Sequence, residues 1–518
     1  MERFLDAYTL GELDDFFDCP RPPHTLPVEA GANRPRAALA AALKGYAVRL
    51  GAHQAVLEAA DRLAQPGSVA VVTGQQAGLL AGPNFTLSKA MTAVSIARRI
   101  DRADAPAVPV FWVASQDHDI AEIDHTWLLD LDERLWRVEV PLPAGVPASS
   151  IPLPAGLDRL LTAQLRSGNW PAELTEEFLE LHGSAAAVAG NWAELFSALL
   201  FRVLGPDAPL IIDPAQPDVA PLFSRVIEQE LEDPLASAEA VNSAGSRLSR
   251  LGFTPQLGRG QAATNLFLTS TGDGLPQREL LRFDGSKFYT SSARFSRADL
   301  QAILEAQPGR LTPAAGLRPV TQDAVLPTTA LVVGPGELRY FAQLRDVYRR
   351  HGVRQPTIWP RPELTVLEPP VARILRQLDI DPAELQDRPE EVSRRLLLQR
   401  SAAARQFSDS LKQLRASQNA LNEAVLGFEP TLKGAVDRHS ERVAHSLGKL
   451  EDKAAEAVRR RDAVLANQLS RLQAQLLPRG SRQERVISPV SYFLKFGTGA
   501  VLRLYRDLPE QGRHFRAV

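Results

Sequence analysis

The sequence predicts an α/β fold, a doubly wound parallel sheet followed by a C-terminal antiparallel coiled-coil hairpin. Three observations predict it. Five short apolar runs each stop at polar or Gly/Pro residues, and most lead into a helical pattern, as strands buried on both faces of a parallel sheet do. Alternating stretches with an Asp-Gly turn interrupt them, the mark of an inserted hairpin. After about residue 385 the apolar residues fall into heptads. With 518 residues the chain exceeds one ordinary domain and suggests two to four.

Residues 1–66 read as an N-terminal helical segment. Pro20, Pro22, Pro23 and Pro27 form a stiff linker there, and Ala37–Leu63 has helical period. The sheet core spans 67–384. Its first strand is Val69–Val72, ending at Thr73-Gly74; a glycine-spaced loop to Gly82 leads into a helix over Phe85–Ile100. The second strand is Val108–Ala114, ending in Ser115 to Asp119. An insertion over about 130–200 starts strand-like at Arg134–Val140 and turns helical. Pro209–Ile212 is the third strand, ending at Asp213. A second insertion, about 235–320, is α+β: Asn265–Thr269 and Glu279–Phe283 alternate, and Asp284-Gly285 turns the chain into Lys287–Thr290. Ala330–Val333 is the fourth strand, followed by Gly334-Pro335-Gly336-Glu337 and a helix over Leu338–Arg350. Pro356–Trp359 is the fifth, ending at Pro360-Arg361. Ligands of such sheets sit outside the carboxyl ends of the strands, so these five ends nominate one crevice.

Residues 385–480 form the coiled coil. Phe407, Leu411, Leu414, Gln418, Leu421, Val425 and Phe428 are spaced alternately by four and three, and Glu429-Pro430 ends that helix. Val443, Leu447, Leu450 and Ala454 continue the seam, which slips by a four-residue stutter near Arg459–Arg461 and resumes at Leu465, Leu469, Leu472 and Leu476. A two-helix hairpin of this length buries one stripe, so a homodimer is expected. Residues 481–518 return to the body, anchored by Tyr492–Phe496.

Composition excludes several classes. Hydrophobic residues at 44% and charged residues at 23% rule out wholesale disorder. Lys plus Arg is 59 against 61 for Asp plus Glu, so no nucleic-acid partner is expected on bulk charge. Cys19 is the only cysteine, which excludes an intrachain disulfide and a Cys-based zinc cluster. No run of about 18 apolar residues exists, and Met1–Leu10 lacks the apolar core of a signal peptide. The expectation is a cytoplasmic protein with no membrane partner.

Three stretches carry chemistry. The first is Thr73-Gly74-Gln75-Gln76, continuing through Gly82 and Asn84 to Lys89. It is neither GxGxxG nor a P-loop. A buried strand, a loop of little Cβ bulk and a helix start together offer backbone N–H groups to an anion, with Lys89 one turn in. A tight crossover that merely needs small residues reads the same way. Gln75 and Gln76 discriminate, since amides at a buried strand end cost desolvation unless a partner meets them. The second is Gln116-Asp117-His118-Asp119, with Glu122, Asp124 and His125 beyond. Acid–His clusters suit general acid/base work or a divalent ion; the plainer reading has Asp119 as a helix cap and His118 as a satisfied hydrogen-bonder. No third His lies nearby, so no zinc is expected. The third is Arg318, Gln322 and Asp323, leading to Glu337, Tyr340 and Gln343. The last three are spaced to line the crevice from one helix face. Glu337 at a helix start also suits the dipole.

The stretches VVTGQQAGLLAGPNFTLSKA, PVFWVASQDHDIAEIDH, LRPVTQDAVLPTTALVVGPGELRYFAQL and PTIWPR resemble, in order and spacing, the motifs of the BshC family, the cysteine ligases of bacillithiol synthesis. The likeness covers essentially the whole chain. It implies a Rossmann-like core with inserted connecting-peptide-type pieces and a coiled coil that dimerises. It also implies amide formation between the carboxyl of cysteine and the amine of glucosaminyl malate. Carried over, Thr73–Gln76, Lys89, Asp117–Asp119 and Glu337 line the crevice, with Asp117, His118, Lys89 and Glu337 as the catalytic set. The family's kinship with class I nucleotide-binding ligases suggests ATP or ADP and an aminoacyl adenylate. The chain departs from those ligases in having Gln75-Gln76-Ala77-Gly78 where an HxGH pair would stand, and no KMSKS-like lysine loop. Either Lys89, His118 and an arginine such as Arg361 meet the phosphate charge, or ATP is not used in that way. The alternatives are a nucleotide-binding scaffold of the same pathway without chemistry, and a coiled-coil interaction protein whose strand ends are dispersed.

Overall fold

The computed structural model describes residues 2–19, 26, 34–270 and 274–518; the proline linker expected at 20–27 lies outside them, apart from Leu26. The core sheet has five parallel strands, Val69–Gln75, Ala107–Val113, Leu210–Ile212, Thr328–Val333 and Thr357–Pro360. Numbered along the chain, their order in space is fifth, fourth, first, second, third. The winding therefore reverses between the first and fourth strands, the topological switch point of a Rossmann-like sheet. Continuous apolar runs form these strands because helices cover both faces. Val69 and Val71, with Ala330 and Val332, pack on Ala93, Ile96 and Ala97 of the helix Phe85–Ile100. Burying each such aliphatic side chain contributes roughly 1.5–3 kcal/mol.

The structure refines several boundaries. The first strand runs on through Gly74 and Gln75, because the second strand pairs with it as far as Gln75↔Val113. Ala37–Leu63 is two helices, Arg36–Arg49 and Gln54–Leu63, parted at Gly51 with φ +67° and restarted by the His53 side chain accepting from Ala55 N–H. The N-terminal segment belongs to the same unit as the sheet: Tyr8 donates to Ile358 O at 2.7 Å. Past Asp119 comes only the short turn Ile120–Glu122. His125 then opens a strand, His125–Leu129, paired antiparallel with Leu135–Glu139. Asp119 stands at the N-cap of that short 3-10 turn, but its side chain makes no capping bond.

The larger insertion folds as an antiparallel sheet whose central strands are Ala263–Thr269 and Arg278–Phe283. Its predicted Asp284-Gly285 turn is present, with Gly285 at φ +98° and the Asp284 carboxylate accepting from Ser286 and Lys287 N–H. The helix expected over Leu338–Arg350 is two, Pro335–Phe341 and Arg345–Arg350.

The chain divides into two units, Met1–Leu364 with Glu484–His514, and Thr365–Gln483 with Phe515–Val518. In the second, helices Ala402–Phe428 and Lys433–Arg461 form the antiparallel hairpin. The stutter is a true break: Asp462 leaves helical geometry, and its carboxylate caps the next helix, Ala463–Leu476, at Leu465 N–H. Leu465, Leu469, Leu472 and Leu476 are buried, whereas Leu414, Leu421 and Phe428 are exposed by 50, 59 and 88%. Among the described residues no helix is long and apolar enough to cross a membrane.

Candidate functional site

The first and fourth strands pair only at Ala70↔Thr328, Val71↔Ala330 and Val72↔Leu331. Beyond that they splay. The buried Thr73 hydroxyl donates to Val332 O at 2.9 Å, replacing the next ladder bond with a side chain. Gly74 is required at the same level, because a Cβ there would lie 2.7 Å from the carbonyl oxygen of Trp112. The splay opens a cavity of about 490 Å³, within the range that holds a small ligand.

Its inner end is cationic. Lys89, on the second turn of Phe85–Ile100, donates to Gly74 O at 2.9 Å and Gln75 Oε1 at 3.0 Å, and pairs with Glu337 Oε2 at 2.5 Å. Burial pushes the Lys89 ammonium below the usual lysine range, and Glu337 only partly offsets this. Glu337 also accepts from Gly334 N–H at 2.7 Å, which fixes it at the start of Pro335–Phe341. Arg361, at the end of the fifth strand, forms a bidentate pair with Glu484 at 2.6 and 2.7 Å, both side chains almost wholly buried. Burial opposes the Arg361 charge, and the Glu484 carboxylate more than restores it. Arg318 lies over the Trp112 ring and donates to Gln322 Oε1 at 3.1 Å and Tyr340 Oη at 3.3 Å; it has no ion pair among the described residues. Burial pushes the Tyr340 hydroxyl up to about 12, so it stays protonated.

The opposite side is acidic. Gln76 donates to Asp117 Oδ2 at 2.9 Å, and the other Asp117 oxygen accepts from His118 N–H at 2.8 Å. Glu122 shares Gln76 at the cavity mouth, and partial burial raises its pKa.

Gly74, Gln75, Gln76, Lys89, Asp117, Arg318, Gln322, Glu337, Tyr340 and Arg361 thus meet around one cavity, as the five-strand reading expects of most of them. Others nominated from the sequence do not line it. Thr73 is spent on the fourth strand. The loop through Gly82 and Asn84 is a tight crossover, not an open cradle. Its N–H groups are used internally, Gly82 on Leu79 O and Asn84 on Ile487 O, and the Asn84 side chain accepts from the Tyr505 hydroxyl. Gly78 and Gly82 face each other so closely that a Cβ on Gly78 would sit 2.9 Å from Gly82 Cα. Gln116 turns to Pro214 O at 3.2 Å, and Asp119 is exposed. The His118 ring packs edge-on against Phe267, beside Arg278, and burial and Arg278 lower its pKa. Asp323 is buried among Gln322, Thr328 and Tyr348. Gln343 falls beyond the helix break, so the one-face spacing fails for it; it accepts from Gln256 and Leu257 N–H at 2.9 Å and holds their loop against the cavity. Asp213 lies off the cavity, bonded to the Ser115 hydroxyl.

Sequence reading misses Trp112, Arg278 and Glu484. Arg278 stacks on Phe267 at 4.0 Å behind Asp117, and its burial lowers its pKa to about 10. An arginine inside an alternating strand, with apolar neighbours, is the one available signal.

Residues 16–362 match the family model described as the Bacillithiol biosynthesis BshC N-terminal Rossmann-like domain, and residues 364–516 match the C-terminal coiled-coil domain of the same family. A "Putative cysteine ligase BshC" of Thermus thermophilus is 41% identical over 93% of this chain and 93% of its own length. Proteins of the same printed name from Symbiobacterium thermophilum and Heliobacterium modesticaldum are 34% and 33% identical, over 93% and 90% of this chain and 90% and 87% of their own lengths. The chain belongs to the BshC family of bacillithiol biosynthesis.

Proposed function

We propose that this chain is a cytoplasmic cysteine ligase that joins the carboxyl of cysteine to the amine of glucosaminyl malate. The observation that carries the reading is the convergence at the switch point of a cationic inner end and an acidic mouth within one cavity, in a chain whose relatives bear the ligase name. A carboxylate is drawn to the first and an ammonium to the second. Asp117, presented by Gln76, stands where the acceptor ammonium must lose its proton, with Glu122 on the same amide. Lys89, held by Glu337, stands where negative charge grows on the acyl oxygen.

A free carboxylate is a poor acyl donor, and a nucleoside triphosphate, when bound, supplies its activation. Arg485, exposed at the rim, fits the phosphates of ATP or ADP. The exposed seam at Leu421 and Phe428 supports a homodimer formed through the coiled coil.

The test is incorporation of labelled cysteine into amide product by the purified chain with glucosaminyl malate and ATP. Product that disappears in Asp117→Asn and Lys89→Met is expected. Tight nucleotide binding with no product under any nucleotide would instead make the chain a scaffold of the pathway.

A further inference from the structure

The inner end of the cavity holds a donor without an acceptor. Arg361 uses both terminal nitrogens on Glu484, and one of them also on Pro362 O at 2.8 Å. Its side chain is 1% exposed, yet its Nε–H is buried with no partner. Native folds rarely keep such a group unless something else satisfies it. Beside it the backbone is bare. A Cβ on Gly334 would lie 3.7 Å from Arg361 Nε, 3.9 Å from Lys89 Cε and 3.4 Å from Glu337 Oε2. These are ordinary contact distances, so the corner has room for an atom and no clash. Gly334 has φ −80° and ψ 168°, which any residue adopts. The glycine is thus not required by its backbone, and it lines the cavity together with Lys89 and Arg361.

Charge defines what fits. Lys89, Arg318 and Arg361 face two fixed carboxylates, Glu337 and Glu484, which leaves one positive charge over. We propose that the corner bounded by Gly334, Arg361 Nε and Lys89 is a subsite for a single carboxylate, that of the acyl donor, and not for the phosphate chain of a nucleotide. This rests on the ligase reading and deepens it. A planar two-oxygen group accepts from Arg361 Nε–H with one oxygen and from the Lys89 ammonium with the other. Glu337 holds the Lys89 ammonium at 2.5 Å, and the ligand shares that ammonium with it. A triphosphate would bring several negative charges beside two carboxylates that cannot leave. The arginine left for phosphate is Arg485, exposed at the rim.

Calorimetry on the full-length chain tests this with three probes: cysteine, cysteamine (the same thiol and amine without the carboxylate) and ATP. Cysteine is expected to bind, and cysteamine to bind at least about ten-fold more weakly, the loss typical of charge-assisted bonds. Gly334→Ala places a methyl group in the corner. It is expected to weaken cysteine by at least about ten-fold, to leave ATP affinity unchanged, and to melt with the wild type. Equal affinity for cysteamine, undiminished cysteine binding in Gly334→Ala, or loss of ATP binding in that variant would each overturn the assignment. So would a wild-type chain that binds no cysteine. Failure of the ligase reading looks different: no amide product under any nucleotide, with carboxylate-dependent binding intact.

Discussion

Asp213 gives a prediction whose size follows from its surroundings. It ends the third core strand, 3% exposed, and accepts from the Ser115 hydroxyl and from Ala215 N–H at 2.9 Å. Burial raises its pKa to about 6; the two hydrogen bonds pull it back only in part, Glu194 pushes it further up, and Arg49 opposes. The unfolded value is about 3.9. A native pKa above the unfolded one means that the folded chain holds the proton more tightly. The resulting stability is fully present below about pH 4 and is lost as pH rises through about 6. Two pKa units correspond to about 3 kcal/mol. Asp213→Asn keeps the volume and an acceptor oxygen but cannot titrate. Denaturant unfolding of both chains from pH 4 to 8 should therefore show the wild type losing about 3 kcal/mol relative to the variant across that window. A difference that is flat with pH, or that grows in favour of the wild type as pH rises, would refute the assignment of burial as the dominant cause.

Three further outcomes follow from the same geometry. Gly74→Ala must push apart the first and second strands, because its Cβ would meet Trp112 O at 2.7 Å; about 1–3 kcal/mol of destabilisation, read as a lower melting temperature, should accompany weaker cysteine binding. Gln343→Ala strips the buried acceptor from Gln256 and Leu257 N–H; it should cost about 2–4 kcal/mol for the unpaired groups and speed hydrogen exchange at those two amides first. Leu421→Lys with Phe428→Glu places charge on the exposed seam of the hairpin. Sedimentation should then give a monomer for the variant and a dimer for the wild type, with the core melting unchanged.

Whatever repeats along the chain is legible in its sequence. The parallel strands are short apolar runs because both faces are covered, and the heptads of Ala402–Phe428 and Ala463–Leu476 are periodic by the geometry of their packing. The polar residues at strand ends are legible for the same reason: a buried strand must end in something that meets a ligand or water. Contacts between distant segments leave no local trace. Glu484 is 123 residues from the arginine it neutralises, and in sequence it is one acid among polar neighbours. His118 reads as a catalytic base beside Asp117, yet Phe267 and Arg278 of the inserted sheet decide where its ring packs. Counting along one continuous helix puts Gln343 at the cavity, but that helix stops at Phe341. Leu80 and Ala81 adopt φ of 51° and 65°, a left-handed conformation that their residue types do not announce.

That last pair bears on how the site recognises charge. A Rossmann-like crossover usually offers its ligand a glycine-rich turn and the N–H groups of a helix start. Here the turn is folded back on itself: Gly78 and Gly82 touch, Gly82 and Leu79 bond across the left-handed pair, and Asn84 N–H is taken by Ile487 O. The first turn of Phe85–Ile100 likewise spends Thr86 and Leu87 N–H on Pro83 and Asn84 O. Backbone dipoles are therefore closed off along this loop, and the work falls to side chains brought in from the fourth and fifth strands and from the helix interior. Charged side chains need counter-charges to be buried, which is why each inner cation but Arg318 comes with a carboxylate of its own. The same pairing limits the free positive charge to one unit, and so the architecture that forgoes a phosphate loop is also the one that favours a carboxylate at its inner end.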